Sequence, residues 1–221
     1  MKLSEKVCTI VGAGAGVSFS VAKRFAREGF SIALMARRTE NIERFARELG
    51  GTGAFAKAYP ADASDFESLA KAFRQVHREM GHTDVLVYNA AAVRENSPAG
   101  LDPEKMVQDF RVNVAGALAA AQRVIPHMKK QKQGTILFTG GGLALQPYHP
   151  YASLAVGKAG IRSLAMSLAD ELAPAGIHVA TVTIAGLVKQ GTPFDPDTIA
   201  EQYWRLHLQK PGQFEKEIIY K

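Results

Sequence analysis

The sequence has one cysteine, Cys8, among 221 residues, and this excludes a disulfide bond within the chain. Cys8 lies in an apolar run, which is typical of a buried strand residue in a reducing compartment. No apolar run approaches the ~20 residues that a membrane-spanning helix needs. Glu5 and Lys6 precede the first apolar stretch, which does not resemble a secretory signal. We therefore expect a cytoplasmic protein with no membrane partner.

The sequence also lacks any cluster of histidine, cysteine and carboxylate residues with metal-ligand spacing, so we infer no metal site. The formal net charge is +6, but basic residues are interspersed with acidic ones on the expected helix faces. No aromatic–basic stacking pattern accompanies the charge. This distribution favours a solvated surface over a nucleic-acid partner.

Short apolar segments alternate with longer amphipathic segments along most of the chain. The expected strands are Val7–Val11, Ser31–Ala36, Ala54–Tyr59, Asp84–Tyr88, Thr135–Thr139 and His178–Ile184. The expected helices are Val17–Glu28, Glu40–Leu49, Asp65–Met80, Pro103–Lys130 and Tyr151–Leu172. Because the strands are apolar throughout, both faces of the sheet should be covered. The pattern predicts an α/β fold in one domain, residues 1–221, with a doubly wound, mostly parallel sheet between two helix layers.

The segment after Gly186 has a different character. Residues 192–197 are rich in turn-forming residues, Thr198–Gln209 predicts a short helix, and Glu217–Lys221 predicts a final strand. We interpret residues 187–221 as a short variable tail on the substrate side of the fold. A substrate loop and a simple closing appendage are both compatible with this composition.

A glycine-rich segment, Val11–Ser18, joins the first expected strand to the first expected helix. Glycines at such a junction let the backbone turn tightly and approach a pyrophosphate, whose charge the helix N-terminus stabilises. A tight turn without a ligand is the alternative interpretation. The position between the first strand and helix favours a Rossmann-type dinucleotide-binding sandwich.

The second expected strand ends in Ala36, Arg37 and Arg38. Rossmann proteins that bind NAD usually carry an acid here, which accepts hydrogen bonds from the adenosine ribose. An arginine would instead hold the 2′-phosphate of NADP through charge-assisted hydrogen bonds. The sequence therefore favours NADP, with NAD less favoured. Two solvated arginines at a helix start are the alternative.

Together these motifs resemble the short-chain dehydrogenase/reductase family between residues 6 and 186. The family's glycine motif, Thr-Gly-x-x-x-Gly-x-Gly, falls on Val11–Ser18, where two glycines match while Val11 and Ser18 differ. The aspartate that borders the family's adenine pocket corresponds to Asp62.

The family's Asn-Asn-Ala-Gly segment corresponds to Tyr88–Ala91, a half match, and its structural asparagine corresponds to Asn113. The chain looks like an atypical subgroup of that family that lacks the catalytic tyrosine and keeps the lysine, which implies a nucleotide-binding fold with an undefined reaction. With the arginines, this favours an NADP(H)-binding oxidoreductase. The resemblance assigns contacts with the cofactor to Gly12, Ala15, Gly16, Val17, Arg37, Asp62, Ala63, Asn89, Ala90, Lys158, Gly186 and Val188.

The resemblance fails at two catalytic positions. The family's tyrosine lies four residues before a lysine that corresponds to Lys158, and here that position is Leu154. The family's serine position falls on Gly141. Asn113 and Lys158 are the retained members of the tetrad. Because the tyrosine protonates the carbonyl and the serine holds it, we expect weak or absent carbonyl reduction of the usual kind.

Tyr151 is a candidate substitute acid, since it precedes Lys158 by two helical turns on the same face. Tyr148 and His149 are further candidates, and all three residues are equally compatible with lining a cleft. A different function, that of a non-catalytic dinucleotide-binding sensor or assembly partner, is the alternative to an enzyme. The sequence does not identify the small-molecule substrate.

The resemblance also implies a homodimer or homotetramer. Family members usually pair through the helices that correspond to Pro103–Lys130 and Tyr151–Leu172. The small residues Ala115, Gly116, Ala119 and Ala120 would permit close approach of a second copy, although they are equally suited to face the sheet.

Overall fold

The computed structural model describes residues 3, 4 and 6–221. Glu5, one of the two charged residues before the first apolar stretch, lies outside the described residues. The strands are β1 (Val7–Val11), β2 (Ser31–Ala36), β3 (Ala56–Pro60), β4 (Val85–Tyr88), β5 (Gly134–Gly141), β6 (Ile177–Ile184) and β7 (Glu217–Tyr220). The helices are α1 (Val17–Arg27), α2 (Thr39–Gly51), α3 (Phe66–Met80), α4 (Pro103–Phe110), α5 (Gly116–Gln131), α6 (Ala152–Leu172) and α7 (Pro196–His207).

The strands form one sheet in the order β3-β2-β1-β4-β5-β6-β7, and every pair is parallel. The order reverses direction between β1 and β4, which creates a crevice at the carboxyl ends of these strands. This confirms the predicted doubly wound α/β fold. No helix in the part of the chain that the structure describes is long and apolar enough to cross a membrane.

Two apolar cores cover the two faces of the sheet. One contains the fully buried Tyr59, Tyr88 and Phe138, against α3, α5 and α6. The other lies beneath α1, α2 and α7, and it contains the fully buried Phe25 of α1 and Tyr203 of α7. Burial on both faces explains why the strands lack polar alternation, and it fixes the strand ends that carry the candidate site.

The predicted single helix Pro103–Lys130 is wrong, because α4 and α5 are separated by a π-helical turn over Arg111–Ala115. The Tyr88 hydroxyl donates to the Val112 carbonyl at 2.5 Å within this turn. A Cβ at Gly116 would lie 2.2 Å from the Ala63 carbonyl oxygen. The extra residue of the turn thus accompanies a close approach of the helix to the loop after β3 and to Tyr88 of β4.

Smaller differences affect other elements. β3 begins at Ala56 rather than Ala54, after a turn in which Gly53 has φ +90°. α7 begins at Pro196, ahead of the expected Thr198, because the Asp195 side chain caps it by accepting from the Asp197 amide. β5 continues past Thr139 to Gly141, which brings a candidate site position into the sheet.

Candidate functional site

The loop between β1 and α1 passes very close to the end of β4. Gly12 has φ +82°, and a Cβ there would lie 2.3 Å from the Ala90 backbone nitrogen. The Gly12 and Ala13 amides both donate to the Met35 carbonyl, at 2.9 and 3.0 Å. Only glycine can adopt this φ angle and leave room for the Ala90 backbone. These contacts therefore fix the position of the loop at the crevice.

The other two glycines of the loop have open space beside them, and a hydrogen bond to Ser18 holds the loop on its inner side. A Cβ at Gly14 or Gly16 would meet no atom within 4 Å. Gly16 is the N-cap of α1 and gives it no side-chain hydrogen bond, so the first amides of the helix are uncapped by side chains. The buried Ser18 hydroxyl accepts from the Gly14 amide at 2.9 Å. The loop can therefore receive an anion at the helix start.

A cleft of about 340 Å³ lies at the carboxyl ends of the central strands. The predicted cofactor residues that line it are Gly12, Arg37, Asp62, Ala63, Asn89 and Ala90. The further lining residues Ala61, Ala91, Val93 and Val112 were not among the predicted cofactor contacts. Ala61, Ala91 and Val112 each adjoin a predicted site residue, which was the available signal for them, whereas Val93 has no such neighbour.

Asp62 and Asn89 shape the cleft by hydrogen bonds within the protein. The Asp62 carboxylate accepts from the Ser64 amide at 2.8 Å and from the Ser64 hydroxyl at 2.7 Å. Burial raises the pKa of Asp62, but the Ser64 bonds and nearby Arg37 outweigh it and leave that pKa below its usual value. The side-chain Nδ2 of Asn89 donates to the Gly12 carbonyl at 3.1 Å. Asp62 is therefore an ionised hydrogen-bond acceptor at neutral pH.

Arg37 and Arg38 differ in position although both are exposed. Arg37 lines the cleft together with Asp62. Arg38 is the residue before α2, at its N-cap, and does not line the cleft. Arg37 is thus the cation placed to contact an anionic group of a ligand.

Several predicted cofactor residues lie outside this cleft. Ala15 and Gly16 precede α1, and Val17 is its first residue. Gly186 lines a separate cleft of about 490 Å³, where a Cβ would lie 2.2 Å from the Phe194 ring. Val188 is partly buried against the apolar core. The structure therefore brings half of the predicted set to one cleft, and the other half lies outside it.

Lys158 lies on α6 and reaches the end of β5. Its Nζ donates to the Thr139 carbonyl at 2.7 Å. A Cβ at Gly141 would lie 3.3 Å from the Lys158 Cε atom, closer than ordinary packing. Desolvation lowers the pKa of Lys158 to about 8. Leu154, one turn earlier on the same helix, is buried.

Asn113 is buried in the π-helical turn and connects three segments. Its Oδ1 accepts from the Ala92 amide at 2.7 Å. A Cβ at Gly157 would lie 2.5 Å from its Nδ2, which has no hydrogen-bond partner among the described residues. Asn113 therefore holds the loop after β4 against α6.

Tyr151 immediately precedes α6 and does not line the first cleft. Its hydroxyl donates to the Glu95 carboxylate at 3.0 Å, and this bond raises the pKa of Tyr151. A raised pKa makes the hydroxyl a weaker acid. Tyr151 does not line the 340 Å³ cleft, so the structure does not bring it together with Asp62 and Asn89.

A polar cluster beside Tyr151 has no signal in the sequence. The buried Asp109 carboxylate accepts from the Ser153 hydroxyl at 2.8 Å, and Asn96 donates to the same hydroxyl at 2.8 Å. Arg94 pairs with Asp109 at 3.0 Å. These contacts join residues far apart in the chain, which is why the pattern did not predict them. They fix the start of α6 against the loop after β4.

Three comparisons agree on the family. The family model described as short chain dehydrogenase matches residues 6–198. Oxidoreductase UcpA of Salmonella typhimurium is 32% identical over 209 residues, which is 90% of this chain and 78% of that protein. A metagenomic short-chain oxidoreductase in complex with NADP has a TM-score of 0.89 at 25% identity, covering 98% of this chain and 97% of that one.

A 3-oxoacyl-(acyl-carrier protein) reductase from Brucella melitensis with bound NAD has a TM-score of 0.88 at 20% identity. It covers 97% of this chain and 88% of that one, and at this identity the likeness concerns the fold alone. The family model spans most of the chain, and its match follows the same strands and loops that build the cleft. The chain therefore belongs to the short-chain dehydrogenase family, whose fold binds NAD(P).

Proposed function

We propose that this protein is an NADP(H)-binding oxidoreductase with an incomplete catalytic tetrad. The observation that carries the proposal is the position of Arg37 in the cleft, next to an alanine where NAD-binding relatives of the fold usually have an acid. The guanidinium would bind a 2′-phosphate through charge-assisted hydrogen bonds.

The residues present fit a dinucleotide. Gly12 lets the loop pass directly against Ala90, and the uncapped start of α1 suits a pyrophosphate. Asp62, Ala63, Asn89 and Ala90 would border the adenosine half. The two solved relatives carry NADP in one and NAD in the other, so similarity does not separate the two cofactors. Arg37 is the feature that favours NADP.

A titration of nicotinamide fluorescence with wild type, Arg37→Ala and Arg38→Ala tests the role of Arg37. We expect Arg37→Ala to raise the Kd for NADPH about 10- to 100-fold, since a charge-assisted bond contributes about 1.5–3 kcal/mol. The Kd for NADH should change less than about twofold. Arg38→Ala is the matched control, because it removes the same charge outside the cleft. Equal losses in both variants would show a general charge effect and contradict the assignment.

Gly141 and Leu154 stand at the positions of the family's serine and tyrosine. When bound, the cofactor supplies hydride to a carbonyl carbon. Neither Gly141 nor Leu154 can hold or protonate the carbonyl oxygen. Loss of a general acid typically costs ~10²–10⁴ in rate. We therefore expect slow reduction of carbonyl compounds rather than the turnover of a complete tetrad.

A non-catalytic dinucleotide sensor or assembly partner is the second candidate function. The burial of Leu154, which leaves no polar group at its position on α6, favours it. This function predicts NADPH binding without oxidation by any carbonyl compound or activated alkene. Stoichiometric NADPH oxidation with a reduced product would exclude it.

A further inference from the structure

A second cleft, of about 490 Å³, lies at the carboxyl ends of β5, β6 and β7. It begins at Gly142, the residue after the family's serine position, and it includes Gly186, which the family resemblance assigns to the cofactor. Open α/β sheets bind their ligands at the carboxyl ends of the strands. The second cleft is therefore placed for the substrate of a dinucleotide whose adenosine half lies in the first cleft.

Four branched aliphatic side chains line the second cleft. Leu143 and Leu145 follow β5, Ile184 ends β6, and Ile219 belongs to β7. Leu145 is 45% exposed and Ile219 is 43% exposed, so both offer apolar surface to a molecule that enters the cleft. Covering such surface removes it from water and is favourable. The lining therefore favours a ligand with a hydrocarbon body.

The end of β7 brings a cation to the same cleft. Side chains alternate between the two faces of a strand, and Ile218 and Tyr220 pack against the apolar core. Ile219 and Lys221 consequently share the other side, where both line the cleft. The Ala185 amide donates to the Tyr220 carbonyl at 2.8 Å, which holds the end of β7 beside β6. The sheet itself thus positions Lys221.

The charge of the second cleft has one sign. Among the described residues that line it, Lys221 carries the only charge and Gln146 the only side-chain amide. A lysine ammonium attracts an anionic group and repels a cationic one. One lysine balances the single charge of a carboxylate, whereas the dianion of a phosphate monoester would keep a net negative charge. The lining therefore suits a carboxylate at one end of an apolar molecule.

We propose that the second cleft binds an oxo acid, a ketone with a hydrocarbon body and a terminal carboxylate, as the substrate of this protein. This inference rests on the proposed NADP(H)-dependent function. Leu145 and Ile219 contact the hydrocarbon body, and Lys221 pairs with the carboxylate. The ketone carbon receives hydride, with its electron pair, from NADPH, and the ketone oxygen takes a proton from solvent. The products are a hydroxy acid and NADP⁺.

Calorimetric titration of the protein saturated with NADP⁺ measures this binding without turnover, because the oxidised cofactor cannot reduce a ketone. The ligands are 5-oxohexanoate, 7-oxooctanoate and 9-oxodecanoate, each compared with its uncharged methyl ester. We expect affinity to rise about threefold or more with each lengthening of the chain, since added CH₂ groups cover more of the lining. The best acid should bind at least about threefold more tightly than its ester.

Matched variants separate the charge from the apolar lining. Lys221→Gln should raise the Kd of the acid about 3- to 10-fold and leave the Kd of the ester within about twofold. Lys210→Gln, an exposed lysine that lines neither cleft, is its control. Leu145→Ser should raise the Kd of acid and ester alike, about 3- to 10-fold, whereas the exposed Leu208→Ser should change neither. The Kd for NADP⁺ should stay within about twofold in all four variants.

The outcomes distinguish this inference from the function on which it rests. Absence of NADP⁺ binding would overturn the proposed function and the substrate assignment together. NADP⁺ binding without affinity for any oxo acid, or with equal affinity for acid and ester, would overturn the substrate assignment alone. Oxo-acid binding without oxidation of NADPH would overturn the role of the oxo acid as substrate.

Two further results would also overturn the assignment. Equal losses in Lys221→Gln and Lys210→Gln would show general attraction between the basic protein and any acid. A smaller particle mass for Leu145→Ser, with unchanged affinity for the oxo acid, would assign the apolar lining to contact with a second copy of the chain.

Discussion

Ser18 stands where the family's glycine motif ends in glycine, yet its hydroxyl is buried and bonded to both the amide and the carbonyl of Gly14. The side chain therefore closes the loop on itself instead of obstructing it. At the level of single residues, this departure from the motif concerns the loop's internal bonding. Gly141 is different, because it changes what surrounds Lys158.

His207 on α7 provides a pH-dependent contribution to stability. Its Nδ1 lies 2.9 Å from the Thr135 hydroxyl. Burial, and to a smaller extent electrostatic repulsion from Lys6 and His178, lowers the pKa of His207 from 6.5 to about 4. Between these pH values the unfolded chain binds a proton that the folded chain does not. The free energy of unfolding therefore falls as pH falls from 6.5 to 4, by about 1–3 kcal/mol from this residue.

Chemical denaturation at several pH values measures this contribution. His207→Gln removes the titrating group and should flatten the dependence between pH 6.5 and 4 relative to wild type. His178 is also buried with a lowered pKa, so some slope should remain. His149→Gln, in an exposed loop, is the control and should keep the wild-type slope. Identical slopes in all three proteins would contradict the assignment.

At the level of elements, the β1–α1 loop depends on Gly12. Gly12→Ala would place a methyl group 2.3 Å from the Ala90 backbone nitrogen at a φ of +82°, so the loop must move. We expect it to lower the free energy of unfolding by about 2 kcal/mol or more. Gly14→Ala, with open space around its Cβ, should change it by less than about 0.5 kcal/mol.

Thermal and denaturant unfolding of both variants measures these changes. NADPH titration adds a second readout, since Gly12→Ala should also weaken binding through the displaced loop. Equal stability of Gly12→Ala and wild type would mean that the loop does not need the close contact with Ala90.

The elements themselves were largely predictable, whereas their interruptions were not. Apolar strands and amphipathic helices follow from local periodicity, which the sequence displays directly. The π-helical turn at Arg111–Ala115 involves Tyr88, which lies 24 positions before Val112, and no local pattern contains that pairing.

The candidate site, too, could be predicted only in part. The cleft residues Gly12, Arg37, Asp62 and Asn89 follow the carboxyl ends of strands, so the strand prediction placed them near one another. The bond from Lys158 to Thr139, and the pairing of Asp109 with Ser153, depend on how α6 packs. Packing between distant segments was not available from periodicity or motif spacing.

At the scale of the whole molecule, assembly and location stay predictions. Homo-oligomerisation through α4, α5 and α6 remains our expectation, and Val107, Phe110 and Val156 leave apolar surface exposed on these helices. The small-residue surface expected to meet a second copy faces inward in part, since Gly116 and Ala120 are buried. The extent of the single domain and a cytoplasmic location are likewise expectations.

The net charge of the molecule suits an anionic ligand. The formal charge of +6 attracts anions in general, whereas Arg37 is the cation in the cleft. General attraction weakens with salt, but a bidentate contact at one phosphate should discriminate between ligands at equal salt. Recognition of NADP(H) by this protein therefore depends on a contact between Arg37 and the 2′-phosphate.

Calorimetric titration of wild-type protein with 2′,5′-ADP and with 5′-ADP tests that claim most directly, because these fragments engage the adenosine end and avoid the altered catalytic positions. Our account predicts that 2′,5′-ADP binds at least about tenfold more tightly than 5′-ADP at physiological salt. Equal affinities, or no binding of either fragment, would contradict NADP(H) recognition by the Arg37 cleft.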